Sequence, residues 1–176
     1  MKKISTERFQ HLMKRHAKSK RNWRDELNLS YCGLAEVKTI ADMDLSRIPF
    51  RFSDFSGITF KRCDFQYAEL RFAKLDGCTF EDCYMADIRG EFASFKGASF
   101  TRCDFDDSHL PFADFTGVKM EDVRFGDAEV YRTDFTGAKL VNVNLREVNI
   151  KGCILDGVNL EAVEYDHSQR EEEQAE

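Results

Sequence analysis

The sequence predicts an all-β solenoid, a quadrilateral parallel β-helix of about six coils with an α-helical cap at its N-terminus. Three observations carry this. Every fifth residue from Leu45 to Tyr165 is large and apolar or aromatic, with the single exception of Gly90. The residues two places earlier, from Ser53 and Cys63 to Val158 and Val163, are mostly Ala, Cys, Ser, Thr or Val. Above both series lies a period of 20: Gly57, Gly77, Gly97, Gly117, Gly137 and Gly157 recur in step, as do Phe52, Phe72, Phe92 and Phe112.

A period of five fits neither a helix, which repeats every 3.6 residues, nor a flat strand, which repeats every two. It requires a backbone that turns a corner each pentapeptide and points one large and one small side chain inward. Four pentapeptides then close one coil, and equivalent residues stack in columns. The Gly column marks either a corner with positive φ, which Gly takes without steric cost, or a closely packed flat edge. Gly90 leaves a gap in the inward column between Leu70 and Leu110. Because cavities destabilise a core, Ile88 or Phe92 is expected to swing into it, with a bulge over residues 85–92.

The triplets Ser53-Asp54-Phe55, Cys63-Asp64-Phe65, Ala113-Asp114-Phe115, Thr133-Asp134-Phe135, Val143-Asn144-Leu145 and Val158-Asn159-Leu160 resemble the small–Asp/Asn–Leu/Phe–x–x motif of the pentapeptide-repeat family over about residues 43–165. The resemblance implies a right-handed quadrilateral β-helix. The quinolone-resistance members of that family resemble DNA and bind bacterial DNA gyrase or topoisomerase IV. They carry loops that project from the coils and dimerise through an apolar C-terminal helix. Here no insertion breaks the register from 43 to 165, and the chain ends in a polar, acidic run.

Three segments are expected: a basic helical cap or appendage over 1–28, the repeat β-helix over 29–165, and an acidic disordered tail over 166–176. The net charge of -6 is unevenly spread, since residues 1–28 hold nine Lys or Arg against three Asp or Glu. Residues 5 to about 26 read as a helix with Phe9, Leu12, Met13 and His16 on one side. A solenoid needs its terminal coil covered, and these apolar residues, with Trp23, favour that role over contact with nucleic acid or anionic lipid. No apolar run reaches the ~20 residues that span a bilayer. Arg8, Lys14 and Arg15 stand where a signal peptide would be apolar, so the expected compartment is the cytoplasm.

The repeat also absorbs the residues that could otherwise signal chemistry. Of 16 Phe residues, nearly all belong to the inward series or the Phe52 column. Cys63, Cys78, Cys83, Cys103 and Cys153 occupy the small inward position, where buried Cys behaves as a small hydrophobe; Cys32 falls outside the register. The four histidines are scattered, and no dinucleotide-binding glycine fingerprint, P-loop, zinc-protease helix or nucleophile elbow is present. No enzyme activity, cofactor or metal is expected.

Function is therefore expected from the outer faces. One is acidic, with Asp64, Asp87, Asp104, Asp106, Asp107, Asp127 and Glu147 as the candidate partner-binding residues, and it could imitate a row of nucleic-acid phosphates. A second carries Phe52, Phe72, Phe92 and Phe112, an apolar ladder of the kind that marks a contact surface. Either the N-terminal helix or a second molecule is expected to cover that ladder. On a further face Arg62, Asp82, Arg102 and Asp122 alternate in sign and should pair from coil to coil. The expected partner is a protein, with gyrase or topoisomerase IV the specific choice, rather than nucleic acid or membrane. The alternative is an effector or regulatory scaffold that binds its partner through the Phe ladder, and the chain is expected to be a monomer or homodimer.

Overall fold

A computed structural model describes residues 1–18, 27–34, 36–159 and 163–165. The chain winds as a quadrilateral parallel β-helix. One face is a seven-stranded parallel sheet in the order β3 (Thr39–Ala41), β4 (Thr59–Lys61), β5 (Thr79–Glu81), β6 (Ser99–Thr101), β7 (Lys119–Arg124), β8 (Lys139–Leu145) and β9 (Val163–Tyr165). The register advances by one 20-residue coil at each step, so Thr39, Thr59, Thr79, Ser99, Lys119 and Lys139 stand in one column. The other faces are built from single parallel bridges, such as Asp54 to Lys74 to Ser94.

Each pentapeptide bonds to the coils on either side of it. The Phe65 N–H donates to the Tyr84 carbonyl at 2.7 Å, and the Asp64 N–H to the Met43 carbonyl at 3.0 Å. The bonding continues around the corners, where the Phe72 N–H donates to Glu91 and the Asp107 N–H to Gly126. Every fifth residue from Asp42 to Gly157 consequently adopts a left-handed backbone, with φ between 50° and 74°. The Gly column belongs to this set and is a corner, not a tight edge. A Cβ added at Gly57, Gly77, Gly97, Gly117 or Gly137 would meet nothing within 4 Å. The other corners hold Phe, Arg, Asp, Asn, Tyr and Glu in the same conformation, at roughly 1–2 kcal/mol each relative to Gly.

The core is the inward series itself. Stacked columns such as Phe60–Phe80–Phe100, with ring centroids 5.0 and 4.8 Å apart, run along the axis. They meet edge-on neighbours such as Phe65 and Phe105. At Gly90 the coil stays regular and no bulge forms, contrary to the sequence-based expectation. A Cβ built on Gly90 would lie 2.6 Å from Leu110 Cδ2, so Leu110 from the next coil occupies the space. Ile88 is wholly buried at its ordinary inward position, and Phe92 stays outside.

The first coil begins earlier than the five-residue register shows. Leu29 and Leu34 are buried in the same core, and Gly33 bridges Asp54. One extra residue between Leu34 and Ile40 shifts this coil out of step. It also explains Cys32, which lies buried in β2 (Cys32–Gly33), paired with β1 (Lys2–Lys3).

Helix α1 (Thr6–Lys18) starts at Ser5, whose hydroxyl accepts the Arg8 N–H at 3.3 Å, as an N-cap residue does. Its buried Phe9 and Met13 join the core, and Phe9 lines a small cavity at the end of the coil with Leu34, Ile40, Leu45 and Phe50. The predicted continuation to about residue 26, Trp23 and the 166–176 tail lie outside the described residues. No described helix is long and apolar enough to cross a membrane.

Candidate functional site

The outer surface divides by column, because each outward position meets its equivalent one coil away. At the corner of Asp42, Arg62, Asp82, Arg102, Asp122 and Asn142 the alternation resolves into discrete pairs. Arg62 holds Asp42 through two bonds of 2.6 and 2.8 Å, Arg102 holds Asp82 at 2.5 and 3.0 Å, and Asn142 donates to Asp122 at 2.6 Å. The arginine hydrogen bonds keep the Asp42 and Asp82 carboxyls below their ordinary range. This corner is satisfied within the chain.

The seven predicted acidic residues separate into two groups. Asp64, Asp104 and Asp106 are engaged by the coil. Asp64 accepts the Gln66 N–H at 2.8 Å, and Asp104 accepts the Asp106 N–H at 2.9 Å while pairing with Arg124. Asp106 accepts the Gly126 N–H at 2.7 Å and lies 3.4 Å from Arg124; burial pushes its carboxyl upward. Arg124 offsets the charge of Asp104 and Asp106, whereas Asp64 is held by its turn, without a cation among the described residues.

Asp87, Asp107, Asp127 and Glu147 form the second group. They occupy one corner column, one residue per coil, with φ of 57°, 57°, 54° and 62°. Asp87 is half-buried and accepts from Gln66 at 3.2 Å, whereas Asp107, Asp127 and Glu147 are exposed. None of the ion pairs among the described residues involves these three. The structure thus holds a straight row of carboxylates, spaced by about the 4.8 Å that separates neighbouring strands.

The next corner carries the Phe ladder. Phe52, Phe72, Phe92 and Phe112 stack at 4.8, 5.0 and 4.9 Å, with ring planes within 3° of parallel. Their exposures are 41, 44, 48 and 40%. Among the described residues α1 sits at the coil end, where Arg8 and Leu12 share a cleft with Tyr31 and Phe52, and it leaves the four rings half-exposed. The rest of the predicted N-terminal helix lies outside the described residues. Tyr31 extends the stack at 4.9 Å from Phe52, and Arg132 closes the other end, 6.0 Å from the Phe112 ring. The sequence reading missed both. Arg132 stands in the 20-residue register and was recoverable; Tyr31 is hidden by the extra residue after Leu34.

The small inward cysteines are buried, apart from the half-buried Cys153. The Cys78 thiol is pushed up to about 12 by burial, and the neighbouring Cys83 thiol, with burial, raises Cys63. Among the described residues no group of three or more His, Cys, Asp or Glu is placed to hold a metal ion.

Family models match most of the solenoid: a pentapeptide repeat region over residues 73–160, and pentapeptide repeats in eight copies over 44–82. A search of curated protein sequences finds no match. Among solved structures, the chain is similar to QnrB1, a plasmid-mediated fluoroquinolone resistance protein, at 15% identity; 85% of this chain and 95% of that one are covered, with a TM-score of 0.39. It is also similar to the pentapeptide repeat protein Rfr23 from the cyanobacterium Cyanothece 51142, at 14% identity over 80% and 88% of the two chains, with a TM-score of 0.38. A third similar structure is a pentapeptide repeat protein of the Arabidopsis thaliana thylakoid lumen, at 25% identity over 73% and 72%, with a TM-score of 0.28. With family models matching residues 44–160 and the five-residue coil seen throughout the solenoid, this chain belongs to the pentapeptide-repeat family.

Proposed function

We propose that this protein is a non-enzymatic protein-binding solenoid whose acidic corner stands in for duplex DNA on a bacterial type II topoisomerase, gyrase or topoisomerase IV. The observation that carries the reading is the exposed row Asp107, Asp127 and Glu147, with the half-buried Asp87 at its head. Duplex DNA offers one phosphate charge per about 3.4 Å of each strand, and its charge supplies much of the affinity of its binding proteins. A rigid row of carboxylates at about 4.8 Å intervals offers a comparable linear charge. The quinolone-resistance members of the family that the repeat motif resembles bind the same class of target. Such a complex forms by charge attraction and weakens with added salt.

The test is inhibition of gyrase supercoiling. The wild-type protein should inhibit at low salt and progressively less as salt is added. The triple variant Asp107→Lys, Asp127→Lys, Glu147→Lys should not inhibit, while retaining the wild-type circular dichroism. These positions are preferable to Asp104 and Asp106, whose reversal would also break bonds to Arg124 and Gly126. A wild-type protein without effect on either topoisomerase overturns the proposal. The second reading, an effector or scaffold that binds a protein through the Phe ladder, is favoured by the half-exposed rings of Phe52 to Phe112.

A further inference from the structure

We propose that the Phe52–Phe112 corner is a self-association surface, on which two copies of this chain pair antiparallel about a two-fold axis between Phe72 and Phe92. The rings cover one another's faces and present their edges outward. An apolar stripe is left at a single corner of the rod, and none of the described residues covers it. Its exposures are 40–48%, and a Phe side chain buries about 150–250 Å² in full, so the four rings offer roughly 350 Å² per copy. Two ladders with Tyr31 and their rims reach about 1,000 Å² in total, the lower end for a specific interface. The expected dimer is weak and concentration-dependent.

The period of the ladder favours a second copy over a helical partner. The ring spacing is the coil spacing, so a second solenoid laid alongside stays in step along the whole stripe. An α-helix, with a pitch of about 5.4 Å, drifts by roughly 1.5 Å across the same four rings.

The rim is self-complementary in the antiparallel arrangement. The two-fold sets Arg71, beside Phe72, opposite Glu91 of the second copy, beside Phe92; within one chain these residues already pair at 3.1 Å. At the ends it brings Tyr31 of each copy to Arg132 of the other, a cation–π contact of the kind Arg132 makes with Tyr131 at 5.2 Å. Asp54 comes opposite Asp114, whose charge Lys96 neutralises at 2.9 Å. A parallel pairing would instead set Arg71 against Lys74. The antiparallel pair carries both acidic corners on the same side, although the dimer itself does not rest on the topoisomerase reading.

Sedimentation equilibrium from micromolar to about millimolar protein should show the mass rise from 20.4 kDa toward twice that value. Phe72→Glu should stay monomeric with an unchanged thermal melt. Arg71→Glu should weaken association about tenfold, and Arg71→Glu with Glu91→Arg should restore it. In a Cys153→Ala background, mixed Phe72→Cys and Phe92→Cys proteins should crosslink on mild oxidation, and neither should crosslink with itself. A wild-type protein monomeric throughout the range overturns the proposal, leaving the ladder for a different partner. Phe72→Cys crosslinking with itself overturns it as well.

Discussion

The thiol of Cys78 donates a hydrogen bond to the carbonyl oxygen of Phe55, 3.1 Å away and 23 residues earlier in the chain. The same step of 23 recurs along the solenoid. Cys63 reaches Ile40, Cys83 reaches Phe60 and Cys103 reaches Phe80, each at 3.6 Å, and Cys153 reaches Val130 at 2.9 Å. Thr133 uses its hydroxyl the same way, donating to Leu110 at 2.8 Å. The small inward position is thus more than a place where a small side chain fits. A weak donor there bonds a carbonyl of the preceding coil.

The contrast between Thr133 and Ser108 tests that role. Ser108 is 1% exposed, and its hydroxyl finds no partner among the described residues. Thr133→Val should cost about 1 kcal/mol, because the isosteric methyl group removes a buried hydrogen bond. Ser108→Ala should leave stability unchanged or raise it by up to about 1 kcal/mol, since an unbonded buried hydroxyl costs that much or more. Urea unfolding monitored by circular dichroism separates the two, and equal destabilisation by both would contradict this account.

The cysteines should be silent until the protein opens. Cys78 ionises near 9 when unfolded and at about 12 when folded, so the folded state holds its proton more tightly. Stability from this group is complete below about pH 9 and is lost as pH rises from there toward 12. Thiol labelling at pH 7.5 should be slow in native protein and fast in urea, with Cys153 the first to react. Native-state labelling of all six thiols on mixing would show that the core is open.

The corners make a backbone prediction. Gly97 has φ +62° with open space around its Cβ position. Gly97→Ala should therefore cost about 1–2 kcal/mol through the left-handed backbone alone, with Gly97→Asn costing less because Asn tolerates that region. Glu147, exposed at φ 62°, should behave in the opposite sense: Glu147→Gly relieves the strain and offsets the greater unfolded-state freedom of Gly. Thermal melts of the three variants check the order.

Gly90 and Leu110 should be coupled. Gly90→Ala drives a methyl group to within 2.6 Å of Leu110 Cδ2 and should cost about 1–3 kcal/mol by overpacking. Leu110→Ala alone should cost about 2–5 kcal/mol, because it leaves the space of both side chains empty. The double variant should be more stable than the sum of the two predicts, and a double-mutant cycle measures the difference. Strict additivity would mean that Leu110 does not fill the Gly90 gap.

The amino-acid sequence by itself determined the coil. Leu45 to Tyr165 at intervals of five states which side chains point inward, and Gly57 to Gly157 at intervals of 20 states how many pentapeptides make a turn. Both are legible because a solenoid repeats its local environment, so burial writes a period into the chain. The Cys63–Cys83–Cys103 column and the Arg62–Asp82–Arg102 alternation followed from the same register. What required the tertiary structure lay between coils or outside the period. The residue inserted between Leu34 and Ile40 conceals the first coil, and with it Tyr31 at the head of the ladder. The left-handed corners are shared by Gly97, Phe72 and Asp107 alike, because a continuous hydrogen-bond ladder imposes them whatever the side chain prefers. Asp104 and Asp107 read as equal charges in the sequence. Arg124, 20 residues beyond Asp104, pairs with that carboxylate, while Asp107 is turned outward at its corner. The period decides which way a side chain points, and the neighbouring coil decides what it meets there.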